Sequence, residues 1–417
     1  MTIHIQKSEI ISPNAVINIT GSKSESNRLL LLKALYPQVS VKNLSNSDDT
    51  VLMQNALQSK ETIIDINHAG TAMRFLTAYF AVKDGREVSL TGSSRMKQRP
   101  IQLLVEALKT LGADIEYLEN KGFPPLKIVG KTLTENQIEL EASISSQYIS
   151  ALLLIGSKLK NGITLTLKGK ITSMPYINMT LSLLNKVGVK THFFGNTIEV
   201  KPIAKHPKPI TITVESDWSS ASYFYSIVAL SGLGTTVQLA SFTEHSLQGD
   251  AVSVDIYKQF GVETTFSKNT VTLQKIKTVN PQISINLDLS NMPDIAQTIA
   301  VTAFGLGLDC YLTGLHTLKI KETDRLQALK TELEKLGATV TITSNSLYLK
   351  ACNAIKSKIT IATYHDHRMA MAFAPLALKV PILIKDAEVV SKSYPQFWED
   401  FKHLGFSISK LNKAFSK

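Results

Sequence analysis

The chain has 417 residues, of which 44% are hydrophobic and 19% charged, and its formal net charge is +11. This length exceeds one ordinary core and predicts two domains, while the composition predicts a soluble globular protein. The apolar runs at 29–32 and 151–155 are too short to cross a bilayer, and the N-terminal MTIHIQKSEI lacks the apolar core of a signal peptide.

The cysteines and the charge limit the classes of function. Cys310 and Cys352 are the two cysteines, without metal-ligand spacing, so a structural disulfide is not expected and the chain is predicted to be cytoplasmic. A net charge of this size fits a nucleic-acid binder or a positive field for small anionic substrates. The lysines are scattered and RNA-binding signatures are absent. The choice between these two functions therefore depends on the motifs.

Small or acidic residues open a series of apolar, Ala-rich helices along the chain. These helix starts are predicted near Ser24, Gly70, Ser145, Ser219, Asp294 and Asp366. They are separated by 46, 75, 74, 75 and 72 residues. A second series interleaves with the first, in which an amphipathic helix ends in an apolar residue and a glycine, and a short strand follows.

The glycines of the second series recur at a near-constant interval. They are Gly112, Gly188, Gly261, Gly337 and Gly405, separated by 76, 73, 76 and 68 residues. Glycine after the last helical turn is the usual left-handed cap. The two series predict six α/β units of roughly 75 residues, the first one shortened, arranged as two domains of three.

Arginine is used sparingly and in particular places. Of the 45 basic residues 38 are lysine, and six of the seven arginines lie in short polar strings. The arginines are Arg28, Arg74, Arg86, Arg95, Arg99, Arg325 and Arg368. Because a guanidinium binds carboxylate or phosphate with two parallel hydrogen bonds, this usage predicts a site for small anions.

The polar strings stand at the predicted helix starts, where free N–H groups and the helix dipole favour anions. In the first half they are GSKSESNR, AGTAMR, RMKQRP with Pro100 starting a helix, SSQY and SMPY. In the second half MPD and KETDR place carboxylates beside cations. Each string alone also fits plain helix capping, solvated charge or helix packing.

The string YHDHRMAM adds two histidines around an acidic residue. His365 and His367 flank Asp366, which invites a metal hypothesis. Without an HExxH motif or cysteine ligands, Asp366 as a helix N-cap is the better interpretation, and no metal is expected.

Together these strings resemble the 5-enolpyruvylshikimate-3-phosphate synthase family. The matching stretches are GSKSESNR, AGTAMR, RMKQRPI, SSQY, SMPYI, MPD, KETDRL, YHDHRMAM and VSKSYPQF, in the family's order from residue 21 to 397. The resemblance implies transfer of the enolpyruvyl group of phosphoenolpyruvate to the 5-hydroxyl of shikimate 3-phosphate. It implies no cofactor and no metal, no nucleic-acid or membrane partner, and a monomer.

The resemblance also implies a fold that agrees with the six units. The family has two similar α/β domains, each of three βαβαββ units, in an inside-out α/β barrel with the active site in the cleft between the domains. Here the domains are expected at 1–19 plus 215–417 and at 20–214.

Residue roles follow from the resemblance alone. The expected shikimate 3-phosphate ligands are Lys23, Ser24, Arg28, Ser145, Ser146, Gln147, Ser173, Tyr176, Asp294 and Lys321. The expected phosphoenolpyruvate ligands are Lys23, Gly70, Arg99, Gln147, Arg325, Arg368 and Lys392. Asp294 matches the family's proton acceptor and Glu322 a proposed proton donor, with Lys23 also catalytic.

Four positions depart from the family's commonest pattern, and two other functions stay open. The departures are His68, Phe75, Met174 and Thr317. One alternative is the related UDP-N-acetylglucosamine enolpyruvyl transferase, although that family has Lys-Asn where this chain has Lys23-Ser24. The other is a repeat-built RNA- or nucleotide-binding protein, which only the charge favours.

Overall fold

The computed structural model describes residues 1–10, 15–142, 145–169, 171–203, 208–352 and 354–411. The chain divides into two compact units, which we call the first unit (Met1–Thr20 with Glu215–Lys417) and the second unit (Gly21–Val214). The helices are α1 (Lys23–Leu35), α2 (Asp48–Gln58), α3 (Gly70–Ala81), α4 (Gln102–Thr110), α5 (Ser146–Gly156), α6 (Met174–Lys186), α7 (Trp218–Leu230), α8 (Ser253–Gln259), α9 (Ala296–Gly305), α10 (Arg325–Lys335), α11 (His367–Phe373) and α12 (Phe397–Leu404).

The strands are short, with three to six residues each. They are β1 (Thr2–Ile5), β2 (Ala15–Ile17), β3 (Val39–Lys42), β4 (Ile63–Asp65), β5 (Glu87–Thr91), β6 (Asp114–Tyr117), β7 (Leu126–Val129), β8 (Gln137–Glu141), β9 (Ile163–Lys168), β10 (Thr191–Phe194), β11 (Thr197–Val200), β12 (Ile210–Thr213), β13 (Thr236–Ala240), β14 (Val262–Ser267), β15 (Thr270–Lys275), β16 (Ser284–Asp288), β17 (Asp309–Thr313), β18 (Thr339–Ile342), β19 (Leu347–Lys350), β20 (Ile359–Ile361), β21 (Ile382–Ile384) and β22 (Ile408–Leu411).

The six predicted units are confirmed as six sheets among the described strands. Five sheets have four strands, in the orders β4-β5-β7-β6, β8-β9-β11-β10, β2-β13-β15-β14, β16-β17-β19-β18 and β20-β21-β1-β22. The sixth, β3 with β12, has two strands and corresponds to the shortened repeat at the start of the second unit. In β4–β7 the first pair is parallel and the others are antiparallel, which is the pairing that βαβαββ connectivity requires.

Two kinds of helix alternate within each unit. Helices α7, α9 and α11 of the first unit, and α3 and α5 of the second, bury nearly every residue. Helices α4, α10 and α12 bury only one face. Because a helix that is apolar all round must lie inside a core, the first kind forms the centre of each unit and the second covers the sheets. The strings AGTAMR, SSQY, MPD and YHDHRMAM lie at the starts of the central helices α3, α5, α9 and α11, whereas KETDR lies at the start of α10.

Local capping explains where the helices begin and end. All five repeat glycines have a positive φ, between +78° at Gly261 and +110° at Gly405, which confirms their role as left-handed caps. Side chains of Ser22, Ser145 and Asp366 accept backbone N–H groups at the starts of α1, α5 and α11.

One predicted helix start is wrong. Pro100 does not begin a helix, because α4 starts at Gln102 with Ile101 as its N-cap. Instead the Pro100 carbonyl accepts the Arg74 guanidinium at 2.7 Å and the Tyr148 hydroxyl at 2.5 Å. These two hydrogen bonds to its carbonyl hold Pro100 in the loop before α4.

The repeat glycines allow a stability prediction with an internal control. At Gly337 (φ +103°) an added Cβ would meet the nearest atom at 3.5 Å, so alanine brings only the left-handed backbone cost of about 1 kcal/mol. At Gly261 (φ +78°) the same Cβ would overlap the backbone carbonyl oxygen of Lys277, which cannot shift as a flexible side chain can, so overpacking adds about 1–3 kcal/mol. We expect Gly261→Ala to lower the urea midpoint at least twice as far as Gly337→Ala, measured by tryptophan fluorescence. Equal shifts would contradict the steric argument.

Candidate active site

Arg325 lies at the centre of an ion cluster in the first unit. Arg325 is the first residue of α10, and it is 2% exposed. Its Nε donates to Asp366 Oδ2 at 2.6 Å and its Nη1 to Asp294 Oδ1 at 3.0 Å. Its Nη2 donates to Glu322 Oε2 at 2.8 Å. Burial alone would lower the pKa of this guanidinium, but its three carboxylate partners raise that pKa above its ordinary value.

Asp294 joins Arg325 to two further cations. Arg368 Nη2 lies 3.4 Å from Asp294 Oδ2, and Lys321 Nζ lies 3.6 Å from Asp294 Oδ1. Asp294 belongs to the 3-10 turn Pro293–Ile295 that leads into α9, and its side chain is 14% exposed. The carboxylate is therefore held by positive charge but still faces solvent.

The loop before α11 positions Arg368. Asp366 caps α11 by accepting the Arg368 backbone N–H at 2.9 Å, so the N-cap interpretation is confirmed. Tyr364 and His365 precede it with positive φ of 53° and 56°. Lys392 Nζ donates to the His365 carbonyl at 2.7 Å, which ties the predicted phosphate ligand to the same loop. The structure thus brings together all the predicted site residues of the first unit.

Arg28 is the most buried predicted ligand of the second unit. Its Nε donates to Thr180 Oγ1 at 2.8 Å, its Nη2 to Ser150 Oγ at 2.9 Å and its Nη1 to the Ser24 carbonyl at 2.8 Å. Burial lowers the pKa of Arg28 to about 10, which still leaves it charged at neutral pH. Its hydrogen-bond acceptors here are neutral oxygens, while the buried carboxylate of Glu25 partly offsets the lowering of its pKa.

The predicted serines and Gln147 lie at the starts of α5 and α6. Ser145 caps α5 by accepting the Gln147 backbone N–H at 3.3 Å, and Ser146 is the first helical residue. Gln147 Nε2 donates to Thr71 Oγ1 at 3.2 Å, so the starts of α3 and α5 are adjacent. Ser173 precedes α6 in the left-handed conformation. Arg28 lies over the Tyr176 ring at 5.7 Å from its centroid.

Gly70 and Arg99 are in close approach at the start of α3. A Cβ at Gly70 would lie 2.9 Å from Arg99 Cζ, so only glycine leaves room for this guanidinium. Nearby, Lys23 Nζ lies 3.6 Å from Asp49 Oδ2. Three predicted anion ligands, Lys23, Arg28 and Arg99, therefore belong to the second unit.

Two of the four departures from the family pattern, Phe75 and His68, contact residues near the predicted ligands. Phe75 packs under Arg28, whose Cζ lies 5.4 Å from the ring centroid. The His68 Nδ1 and Ser93 Oγ atoms are 2.7 Å apart, which joins the loop before Gly70 to the turn that carries Arg99. Met174 begins α6, and Thr317 lies in the 3-10 turn His316–Ile320.

The remaining arginines differ in exposure and role. Arg74 is buried and donates to the carbonyls of Gly70 and Pro100, so it supports the loop rather than facing solvent. Arg95 caps a 3-10 turn without a side-chain capping bond. Arg86 donates to the carbonyls of Ser59 and Glu61 at the surface.

Several partners of the site were missed by sequence reasoning. Ser150 and Thr180 lie one helical turn after Ser146 and Tyr176, and this spacing of polar residues in buried helices was a usable signal. Ser219 and Asp250 are joined to Arg368 through a hydrogen bond at 3.4 Å between Arg368 and Ser219. Since Asp250 is separated from Arg368 by more than a hundred residues, no local pattern identifies this pairing.

The described residues also bear on metal-dependent, membrane-spanning and cysteine-dependent functions. Within the described ranges, no three His, Cys, Asp or Glu side chains converge as a metal ion would require. Among the same residues, every helix falls short of the length and apolarity of a bilayer-spanning segment. Cys310 lies buried in β17, where burial raises the pKa of its thiol to about 12. That thiol is therefore unsuited to nucleophilic chemistry.

Comparisons with known proteins agree on one family. A family model described as EPSP synthase (3-phosphoshikimate 1-carboxyvinyltransferase) matches residues 54–401. The chain is 46% identical over 399 residues to a protein of Bacteroides fragilis (strain ATCC 25285) named 3-phosphoshikimate 1-carboxyvinyltransferase, covering 94% of this chain and 96% of that protein. A Haemophilus influenzae (strain PittEE) protein of the same name is 35% identical, with 95% and 97% covered.

Solved structures show the same fold. EPSP synthase from Acinetobacter baumannii matches with a TM-score of 0.77 at 21% identity, covering 98% of this chain and 100% of that one. The enolpyruvyl transferase NikO from Streptomyces tendae matches with a TM-score of 0.74 at 14% identity, with 98% of each chain covered. The family model and the relatives, each covering most of the chain, show that this protein belongs to the EPSP synthase family.

Proposed function

We propose that this chain transfers the enolpyruvyl group of phosphoenolpyruvate to the 5-hydroxyl of shikimate 3-phosphate, with release of phosphate. One observation carries the proposal within the family. A single buried guanidinium, that of Arg325, touches both Asp294 and Glu322, at 3.0 and 2.8 Å. One base and one acid are therefore held within the span of one side chain, as an addition across a double bond needs.

The reaction assigns a direction to each proton. Asp294 takes the proton of the attacking hydroxyl, whose oxygen bonds to C2 of phosphoenolpyruvate. Glu322 gives a proton to the methylene carbon, which yields a tetrahedral adduct. Loss of a proton from that methyl group and departure of phosphate then restore the double bond in the product. The two carboxyl groups exchange roles between the steps, and Arg325 stays paired with both.

The predicted ligands fall into one set for each substrate. We assign to shikimate 3-phosphate Lys23, Ser24, Arg28, Ser145, Ser146, Gln147, Ser173, Tyr176, Asp294 and Lys321. We assign to phosphoenolpyruvate Lys23, Gly70, Arg99, Gln147, Arg325, Arg368 and Lys392. Supporting this division, Arg28 is hydrogen-bonded to neutral oxygens rather than to carboxylates, which suits a guanidinium that receives a phosphate dianion. The proposed ligands come from both units of the chain.

The proposal includes a monomeric enzyme in the cytoplasm. Both cysteines are unpaired, which supports a reducing compartment. An RNA-binding role gains no support from the site, since its charged groups form a compact cluster rather than a surface stripe. The related UDP-N-acetylglucosamine transfer is disfavoured by Ser24, which stands where that family has Asn.

Phosphate release is the direct test of the function. Purified protein with shikimate 3-phosphate and phosphoenolpyruvate is expected to liberate inorganic phosphate, measured colorimetrically. With UDP-N-acetylglucosamine as the acceptor we expect no release above background. Release with the nucleotide sugar alone would replace the proposed acceptor, and no release with either would refute enolpyruvyl transfer.

Arg368→Lys tests the carboxylate clamp. Lysine keeps the charge but loses the planar fork, so we expect KM for phosphoenolpyruvate to rise roughly 10–100-fold. KM for shikimate 3-phosphate should change less than about threefold, since the phosphate of that substrate is assigned to other cations. Arg86→Lys is the matched control and should leave both constants unchanged. Equal losses for the two substrates would contradict the clamp.

Asp294→Asn tests the base. The amide keeps the shape and one acceptor oxygen but cannot take the hydroxyl proton, so we expect kcat to fall roughly 10²–10⁴-fold. Both substrates should still bind, which calorimetry or fluorescence titration can establish. Turnover near the wild-type rate would remove Asp294 from proton transfer.

A further inference from the structure

A buried carboxyl group lies behind the proposed phosphoenolpyruvate clamp, outside the residues assigned above. Asp250 belongs to the 3-10 turn Gly249–Val252 and is 5% exposed. It accepts the Ser219 hydroxyl, and Ser219 Oγ in turn accepts Arg368 Nη2 at 3.4 Å. The same Arg368 nitrogen lies 3.4 Å from Asp294 Oδ2. Asp250, Ser219 and Arg368 therefore form a relay that ends at the proposed base.

The relay is held in place by backbone contacts. Gln248, two residues before Asp250, accepts the Trp218 backbone N–H at 2.9 Å and donates to the Ser216 carbonyl at 2.8 Å. These bonds fasten the 249–252 turn to the start of α7, where Ser219 lies in the first turn. Asp250 and Ser219 cannot move apart without breaking them, so the relay is preorganised.

The charges around Arg368 do not balance when every acid is ionised. Three cations, Arg325, Arg368 and Lys321, face four carboxyl groups, Asp250, Asp294, Glu322 and Asp366. With Glu322 protonated as the proposed proton donor, three carboxylates remain, and an incoming substrate carboxylate would add a fourth negative charge. Burial and then the neighbouring Asp294 raise the pKa of Asp250 to about 7, while Arg368 and the Ser219 hydrogen bond oppose that shift. Since the proposed reaction already requires a proton on Glu322, Asp250 is the further carboxyl group whose raised pKa favours a neutral form.

Among the described residues, the other acids near this turn have partners of their own, as Glu215 has in Ser246 and Gln248. Asp217, the N-cap of α7, also raises the pKa of Asp250. Helix α8 packs against the same turn, but its Asp255 and Lys258 are exposed and paired with each other at 2.8 Å. The balance therefore depends on Asp294, Asp217 and Arg368.

We propose that Asp250 is a positioning residue for phosphoenolpyruvate, which orients the Arg368 guanidinium through Ser219 and takes up a proton when the substrate carboxylate binds. This inference rests on the proposed function, because it names Arg368 as a ligand of that carboxylate. An ionised Asp250 competes with the substrate for Arg368 and repels it, whereas a neutral Asp250 keeps the hydrogen bond without the charge.

Two substitutions separate the hydrogen bond from the charge. Asp250→Asn keeps an acceptor for Ser219 and is permanently neutral, while Asp250→Ala removes the acceptor. Ser219→Ala breaks the relay at its middle. Asp255→Asn, the same change at an exposed carboxylate of the first unit, is the control.

Steady-state kinetics from pH 6 to 9 supply the test. In the wild type, KM for phosphoenolpyruvate should rise above about pH 7, because affinity is lost as Asp250 ionises. In Asp250→Asn that rise should be absent, with KM at pH 6 within about threefold of the wild type. Ionisation of the substrate phosphate is common to both proteins and cancels in their ratio. Asp250→Ala and Ser219→Ala should raise KM for phosphoenolpyruvate about tenfold at pH 6, with KM for shikimate 3-phosphate little changed.

The outcomes distinguish this inference from the function on which it rests. Turnover by the wild type with parallel pH profiles in wild type and Asp250→Asn would overturn the inference and leave the function standing. Loss of turnover in Asp250→Asn with unchanged folding by circular dichroism would also overturn it. Absence of turnover in the wild type would refute the proposed function and the inference together. Asp255→Asn should follow the wild type throughout.

Discussion

Burial of Arg325 is the constraint on which the first unit depends. A charge with 2% exposure is costly unless partners surround it, and removing one partner of a buried pair typically costs about 3–5 kcal/mol. Its three carboxylates come from different parts of the chain: the turn before α9, the loop before α10 and the N-cap of α11. The repeat brings these helix starts together, and the ion cluster requires them to stay together.

The second unit also buries an arginine, Arg28, but hydrogen-bonds it to neutral oxygens instead of carboxylates. Arg28 also joins three helices, through Ser24 in α1, Ser150 in α5 and Thr180 in α6. Hydroxyl and carbonyl oxygens satisfy its N–H groups without cancelling its charge. The buried arginine of the first unit is therefore paired with carboxylates, whereas that of the second unit is hydrogen-bonded to neutral oxygens.

Much of this arrangement was readable in the sequence, because it depends on local rules. The repeat glycines predicted helix ends since only glycine takes positive φ cheaply, and the spacing of the helix starts predicted six units. The helix start predicted at Pro100 was wrong because the φ that proline fixes is found both in a first helical turn and in a loop. The partners of Arg28 and Arg368 were beyond local rules. Thr180 and Asp250 reach their arginines across more than a hundred residues, and only the packing of central helices decides such pairs.

The rarity of arginine takes a broader meaning in the light of these contacts. The sequence suggested that arginine marks anion sites, yet Arg28, Arg74 and Arg325 each donate to two or more protein acceptors. A guanidinium can join several elements at once because its donors point in fixed, separate directions, whereas a lysine ammonium is a single point of charge. Under the proposed function, the remaining edge of such a guanidinium would meet the ligand in an orientation that the protein has already fixed. Arg368, held by Asp294 and Ser219, fits this description, so the contacts that organise the helix starts would also orient the proposed anion ligand.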